Sequence, residues 1–355
     1  GFLLASGLLS MWVSNTATAM MILPIALSVI GAAGSKDAPR GDVFAPALLL
    51  AVAYGASIGG IGTLIGTPPN ALLAAFAADE YGIAIGFAQW MAVGVPLALI
   101  LGLCAWLCLT RWAFPVHRLR ASISREAIRG EQSALGPLRR PEWRIILVFA
   151  LTAALWLLQP LLASLPGLKG LSDANIAILG GMLLFLLPSG AETGGPLLRW
   201  SDTQELPFGT LILFGGGLSL AHGIEASGLA QWIGTVLEVF AGLPMLLLVA
   251  IVAAVVVFLT EMTSNTATTA AFLPVMGALA VAAGLAPLTL MVPAAVAASA
   301  AFMLPVATPP NAIVHGSGAL PISAMLRAGF RLNLLTVAVV TLSVPPLCLL
   351  VFGKG

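Results

Sequence analysis

Apolar residues fill this chain in long runs, and a few short polar strings cut some of those runs in the middle. Uninterrupted runs extend from Trp90 to Trp112, Trp143 to Leu165, Ala174 to Pro188, Leu206 to Gly223 and Gly329 to Phe352. About 20 such residues cross a bilayer as a helix, so these runs predict membrane spans. Four further apolar regions are interrupted. Gly1 to Ala33 and Leu243 to Ala283 each contain Ser-Asn-Thr, whereas Val43 to Ala78 and Pro287 to Leu326 each contain Thr-Pro-Pro-Asn. Ser, Thr and Asn cap helix N-termini, and Pro fits the first helical turn. The pattern therefore predicts helices that end and restart at membrane depth.

The interruptions repeat. Ser14-Asn15-Thr16-Ala17-Thr18 returns as Ser264-Asn265-Thr266-Ala267-Thr268 at an offset of 250, and Leu23-Pro24 returns as Leu273-Pro274 at the same offset. Thr67-Pro68-Pro69-Asn70-Ala71 returns as Thr308-Pro309-Pro310-Asn311-Ala312. Two different pentapeptides repeated in the same order indicate duplication. Counting crossings between the copies gives an odd number, so the second copy is expected upside down. The expected fold is an all-α polytopic membrane protein. It has inverted repeats, two re-entrant helical hairpins and two broken transmembrane helices, as in many secondary transporters.

Composition agrees with the lipid reading. The 355 residues are 59% hydrophobic and 8% charged, far below the roughly 25% charge of soluble domains. With a net charge of +1, no strong basic or acidic balance points to nucleic acid. Cys104, Cys108 and Cys348 read as small apolar residues, not as a disulfide framework or a metal pair. Residues 111–144 hold eight of the fifteen Lys and Arg residues against three acids, which predicts a cytoplasmic loop. Lys36, Arg40, Arg199, Arg327 and Arg331 fall on the same side if the Leu243–Ala283 region enters and leaves on the outer side. The chain opens at Gly1 inside an apolar stretch, which reads as a piece lacking its N-terminal part.

The polar strings suit an anion and a cation together. A helix N-terminus offers free N–H groups and about half a positive charge, so several converging on one place hold carboxylates without Arg or Lys. The same breaks leave carbonyls near Gly66 and Ala307. Carbonyl and amide oxygens are hard ligands for sodium, which would offset the charge of a dianion. Glu261, three residues before Ser264, is an intramembrane acid, to be read either as functional or as a structural partner of nearby backbone. His222 and His315 read as packing or polar contacts. An intramembrane enzyme is disfavoured because the chain has no His-Glu-x-x-His and no Gly-x-Ser-x-Gly. A channel is disfavoured because the polar residues gather at the breaks and do not line a continuous path.

These motifs closely resemble the divalent-anion/sodium symporter family of di- and tricarboxylate carriers. The stretch from Ala298 to Val314 resembles its signature region, and Leu9 to Thr16 resembles the tip of its inward hairpin. The resemblance implies substrate contacts at Asn15, Thr16, Thr67, Pro68, Asn265, Thr266, Thr308 and Pro309. It implies one sodium site at Ser10, Ser14, Asn15 and Gly66 and another at Thr260, Ser264, Asn265 and Ala307. Ser10 and Thr260 also obey the offset of 250. It further implies a homodimer working by an elevator motion, Na+ as the co-transported ion, no organic cofactor, and a multi-pass position in a bacterial inner membrane. The expected organisation is a first transport repeat over 1–113, an Arg-rich loop over 114–142, a partial scaffold over 143–242 and a second transport repeat over 243–355. The expected activity is sodium-coupled symport of C4 dicarboxylates such as succinate, malate or fumarate. Exchange, or carriage of citrate or sulfate, is the alternative on the same fold.

Overall fold

The computed structural model describes residues 1–33, 41–114, 136–190, 194–205, 208–229, 232, 235 and 242–353. Most of the expected Arg-rich loop, as well as Lys36 and Arg40, lies outside the described residues. The described chain is helical, with a lone bridge between Pro188 and Pro196 as its only extended pairing. In order the helices are α1 (Phe2–Ser10), α2 (Asn15–Ala33), α3 (Gly41–Gly60), α4 (Pro68–Tyr81), α5 (Phe87–Leu107), α6 (Arg140–Leu162), α7 (Asp173–Leu186), α8 (Phe208–Ala226), α9 (Met245–Thr260), α10 (Asn265–Ala282), α11 (Leu288–Ala298), α12 (Pro309–Gly316) and α13 (Ile322–Phe352). A π-helical turn, Cys108–Ala113, extends α5.

The interruptions fall where the polar strings stand. Ser14 precedes α2, and its Oγ accepts from Ala17 N at 3.3 Å. Thr67 and Thr308 are extended residues that each precede a helix opening on Pro. Proline at the first helical position has no N–H to leave unpaired, which is why these helices restart there. The last helix corrects one expectation. It starts at Ile322, not Gly329, so Arg327 and Arg331 lie within it. The two guanidinium groups and Asn333 lower the local hydropathy, but Ala, Met, Leu and Arg are all good helix formers. Long Arg stems carry their charges to the membrane edge without breaking the helix.

Among the described residues, five helices are long and apolar enough to cross a membrane: Val43–Gly60, Phe87–Ala113, Arg140–Leu162, Asn265–Ala282 and Ile322–Phe352. Large apolar side chains face outward as well as into the core. Leu99, Leu103, Leu147 and Leu342 are each more than half exposed, whereas Ser10, Thr63, Asn70, Thr260, Glu261, Asn311 and Asn333 are buried. Exposed Leu in such numbers is stable only against lipid, and buried polar groups persist only where they are hydrogen-bonded or bind something. The chain is an integral membrane protein.

Two compact units can be described separately. The smaller comprises Gly86–Ala88 and Ser124–Leu211. In it α6 packs on α7, Trp156 stacks on Phe87 with ring centroids 4.7 Å apart, and Asp173 accepts from Phe87 N at 2.8 Å. The larger comprises Gly1–Ile85, Gln89–Ile123 and Ile212–Gly355. There α1 and α2 pack on α3, while α9 and α10 pack on α11. The second halves of the broken helices cross over: α4 packs on α10, and α12 packs on α2. Each half of the unit thus supplies a wall of the other. The α1–α3 contact is backbone on backbone, since a Cβ at Gly55 would lie 2.6 Å from Leu3 O and one at Gly59 would lie 2.1 Å from Gly7 O. Small residues four apart let two membrane helices approach this closely.

Candidate functional site

Ser10 ends α1 and Asn15 begins α2, so the four-residue turn between them brings their side chains together. One terminal atom of the Asn15 amide lies 2.5 Å from Ser10 Oγ, 3.1 Å from Ala56 O and 3.2 Å from Gly66 O. The two orientations of the amide give this point opposite character. With nitrogen inward, Asn15 donates to all three oxygens. With Oδ1 inward, it accepts from Ser10 Oγ at 2.5 Å and faces the carbonyls of Ala56 and Gly66 acceptor to acceptor, which a cation among them would relieve. Gly60 leaves the room: a Cβ there would stand 2.5 Å from Asn15 Oδ1 and 3.0 Å from Gly66 O. Three of the four expected ligands, Ser10, Asn15 and Gly66, are therefore assembled. Ser14 instead turns its hydroxyl onto its own helix. The carbonyl of Ala56 is an addition, and no residue-type signal marks a backbone oxygen in advance.

The second pair repeats the arrangement. Thr260 ends α9 and Asn265 begins α10; Thr260 Oγ1 lies 2.8 Å from Asn265 Oδ1 and donates to Ala298 O at 2.9 Å. Ser264 is exposed at the tip, and Ala307 is buried just before the Thr308 cap. A hydroxyl, an amide and a carbonyl from the adjacent broken helix thus meet in both copies.

Between α3 and α4, and again between α11 and α12, the backbone leaves the helix and its polar groups need partners. Asn70 Nδ2 donates to Gly60 O, Ile61 O and Thr63 O at 3.1, 3.3 and 2.7 Å. Asn311 Nδ2 donates to Ala301 O and Leu304 O at 3.2 and 3.0 Å. Gly60 and Thr63 correspond to Ala301 and Leu304 at the same offset of 241 that relates Asn70 to Asn311. The last Asn of each Thr-Pro-Pro-Asn string thus gathers the carbonyls of its own break. Aromatic donors complete the set, Trp90 Nε1 to Ile61 O at 2.9 Å and Tyr54 Oη to Phe302 O at 2.8 Å.

The amides of the two breaks are served differently. In the first, Thr63 Oγ1 accepts from Gly66 N at 3.1 Å and donates to Met11 O. In the second, Glu261 takes the place that Met11 holds at the offset of 250. Its Oε1 accepts from Phe302 N at 2.6 Å, Met303 N at 2.8 Å and Asn333 Nδ2 at 2.8 Å, and its Oε2 accepts from Leu304 N at 2.9 Å. Four donors aimed at one carboxylate stabilise its charge at 3% exposure. Of the two readings of Glu261, the geometry supports the structural partner of a nearby backbone.

Of the residues expected to face substrate, Asn15 and Thr16 are half-buried on the first tip, with Asn265 half-buried and Thr266 buried on the second. Thr67 and Thr308 are buried caps, whereas Pro68 is half-buried and Pro309 exposed. Thr308 Oγ1 accepts from Asn311 N at 3.3 Å; Thr67 makes no such side-chain bond. His315 makes a polar contact, its Nδ1 2.8 Å from Leu320 O. Asn70 and Asn311 stood in the motif, but reading it for its caps and prolines passed over them. Their position two residues after the first Pro of a broken helix was the available signal.

The family described as the sodium:sulfate symporter transmembrane region matches residues 2–348. A sodium-dependent dicarboxylate transporter SdcS of Staphylococcus saprophyticus subsp. saprophyticus is 42% identical over 353 residues, covering 97% of this chain and 68% of that protein. Proteins of the same name from Staphylococcus aureus strains USA300 and MRSA252 are 41% identical over 351 and 360 residues. They cover 97% and 99% of this chain and 68% and 69% of their own lengths.

Proposed function

Because this chain belongs to the sodium:sulfate symporter transmembrane family, we propose that it is a secondary transporter carrying small dicarboxylates across the membrane together with sodium, and not an enzyme. The observation that carries this reading is the Asn15 cluster, where Ser10 Oγ, Ala56 O and Gly66 O surround one amide terminus. Sodium turns Oδ1 of Asn15 inward as a ligand. In its absence the nitrogen turns inward and satisfies the same oxygens. The matching contact of Thr260, Asn265 and Ala298 supports a second sodium site.

Each Asn also opens a helix, so its backbone end faces the place where a carboxylate is held by free N–H groups. Asn15, Thr16, Thr67 and Pro68 supply one half of the anion site, and Asn265, Thr266, Thr308 and Pro309 the other. The two sodium ions offset the charge of the dianion, which explains why no Lys or Arg is needed beside the motifs. The α1–α2 and α9–α10 pairs enter as re-entrant hairpins of inverted repeats. Residues 1–113 and 243–355 form the transport domain and 143–242 part of the scaffold. The transport domain moves as an elevator within a homodimer in a bacterial inner membrane. C4 dicarboxylates are the favoured class because the curated relatives are named dicarboxylate transporters. Sulfate is the second reading, favoured by the family's description.

The test is uptake of labelled succinate by the protein in proteoliposomes, with sodium or potassium as the imposed gradient and with unlabelled sulfate or citrate as competitor. Sodium-driven accumulation that excess sulfate does not suppress supports the proposal. Uptake indifferent to sodium overturns symport, and stronger competition by sulfate than by succinate moves the substrate class.

A further inference from the structure

Three arginines from two apolar helices line two adjoining cavities. Arg111 lies on the π-helical turn that ends the α5 span, and Arg327 and Arg331 lie four apart on α13. Arg331 Nη1 donates to Trp112 O at 2.6 Å, which fixes the end of one span beside the first turns of the other. That bond uses one of five guanidinium N–H donors, and the bond from Arg327 Nε to Ser323 O at 3.2 Å likewise uses one. Among the described residues no carboxylate pairs with any of the three.

Two open cavities share Arg331. One, of about 680 Å³, is lined by Arg111, Trp112, Arg331, Leu334 and Leu335. The other, of about 410 Å³, is lined by Arg327, Arg331, Phe330, Leu326 and Met303. Beside the arginines runs an apolar stripe at helical spacing, Leu326, Phe330 and Leu334, which are 37%, 46% and 50% exposed. Arginine forks match phosphate oxygens in pairs, and basic pockets between membrane helices hold anionic headgroups. A free anion needs only the charges. A lipid also needs exposed apolar surface beside them, and Leu326, Phe330 and Leu334 provide it.

We propose that Arg111, Arg327 and Arg331 form a site for the phosphate headgroup of an anionic phospholipid, with its acyl chains lying along Leu326, Phe330 and Leu334. Arg331 also braces Trp112, so it is left intact in the test. The discriminating variant is the double substitution Arg111→Gln/Arg327→Gln. Lipid retention is measured by native mass spectrometry of the full chain in detergent, titrated with phosphatidylglycerol, phosphatidylcholine or glycerol phosphate. The unmodified protein is expected to retain phosphatidylglycerol in preference to phosphatidylcholine and to bind glycerol phosphate at least about tenfold more weakly. The double variant is expected to lose phosphatidylglycerol affinity by about tenfold or more, with phosphatidylcholine unaffected. Equal retention of the two lipids by the unmodified protein, unchanged phosphatidylglycerol binding in the variant, or glycerol phosphate binding as tightly as the lipid would each overturn the proposal.

Discussion

Glu261 and Asn333, 72 residues apart, meet at a 2.8 Å hydrogen bond in which Asn333 Nδ2 donates to Oε1 of the carboxylate. Both side chains are buried, and the same carboxylate takes the N–H groups of Phe302, Met303 and Leu304. Glu261 therefore joins α9, α13 and the break between α11 and α12. Replacing it by Gln puts an NH2 group against a donor and removes the charge that the others stabilise. Glu261→Gln is expected to lower stability by roughly 1–3 kcal/mol, the cost of leaving a buried donor unsatisfied. A lower thermal midpoint in detergent, not restored by excess sodium, is the measurement; an unchanged midpoint would remove the clamp role.

The Asn70 and Asn311 amides make a graded prediction. Asn70 holds three carbonyls and Asn311 two. A carbonyl left without a donor at membrane depth costs on the order of 1–3 kcal/mol, less where water enters. Asn70→Ala is expected to lower the midpoint more than Asn311→Ala, and both are expected to weaken sodium stimulation of uptake because the broken backbone carries sodium ligands. Equal midpoints, or sodium dependence like that of the unmodified protein, would contradict the gathering role.

Gly60 tests the space in the first cluster. A Cβ there would stand 2.5 Å from Asn15 Oδ1, whereas one at Gly102 meets nothing closer than Leu3 Cδ2 at 3.8 Å. Gly60→Ala is expected to abolish sodium-stimulated succinate uptake, and Gly102→Ala, a change of the same size, to leave it near the unmodified level. Uptake in both variants, at comparable expression, would show that the cluster has slack.

Much of this was legible because capping chemistry is local. Ser, Thr, Asn and Pro announce a helix start from their own side chains, so the four breaks could be placed before any coordinates, whereas the pairing of Ser10 with Asn15 and of Thr260 with Asn265 was implied by the family resemblance. The Ala56 and Ala298 carbonyls could not be placed, since every residue has a carbonyl and only the packing of α1 on α3 and α9 on α11 chooses which one faces Asn15 and which one faces Thr260. Glu261 was visible as a charge at membrane depth, but its partners lie 41–43 and 72 residues away, beyond any local pattern. The start of α13 was misjudged for a related reason. A hydropathy reading penalises Arg327 and Arg331, although the helix carries both at its membrane edge.

The two clusters are built by separate repeats, so their sodium contributions should be separable. A ligand that binds only the folded protein stabilises it by about 2.7 kcal/mol at one hundred times its Kd, for each site. Asn15→Ala removes the amide from the first cluster and leaves Thr260, Asn265 and Ala298 in place; Asn265→Ala does the reverse. Each single variant is expected to keep part of the sodium-induced rise in thermal midpoint, and the double variant to keep none. Succinate uptake should fall at least about tenfold in either single variant, because each Asn also opens a helix facing the anion and the charge of a dianion is offset only when both cations are present. Sodium titrations by thermal unfolding, with potassium as the control ion, read the first effect, and proteoliposome uptake reads the second. A full sodium shift surviving in the double variant would place the cations elsewhere, whereas loss of the whole shift in one single variant would mean that the two clusters act as one.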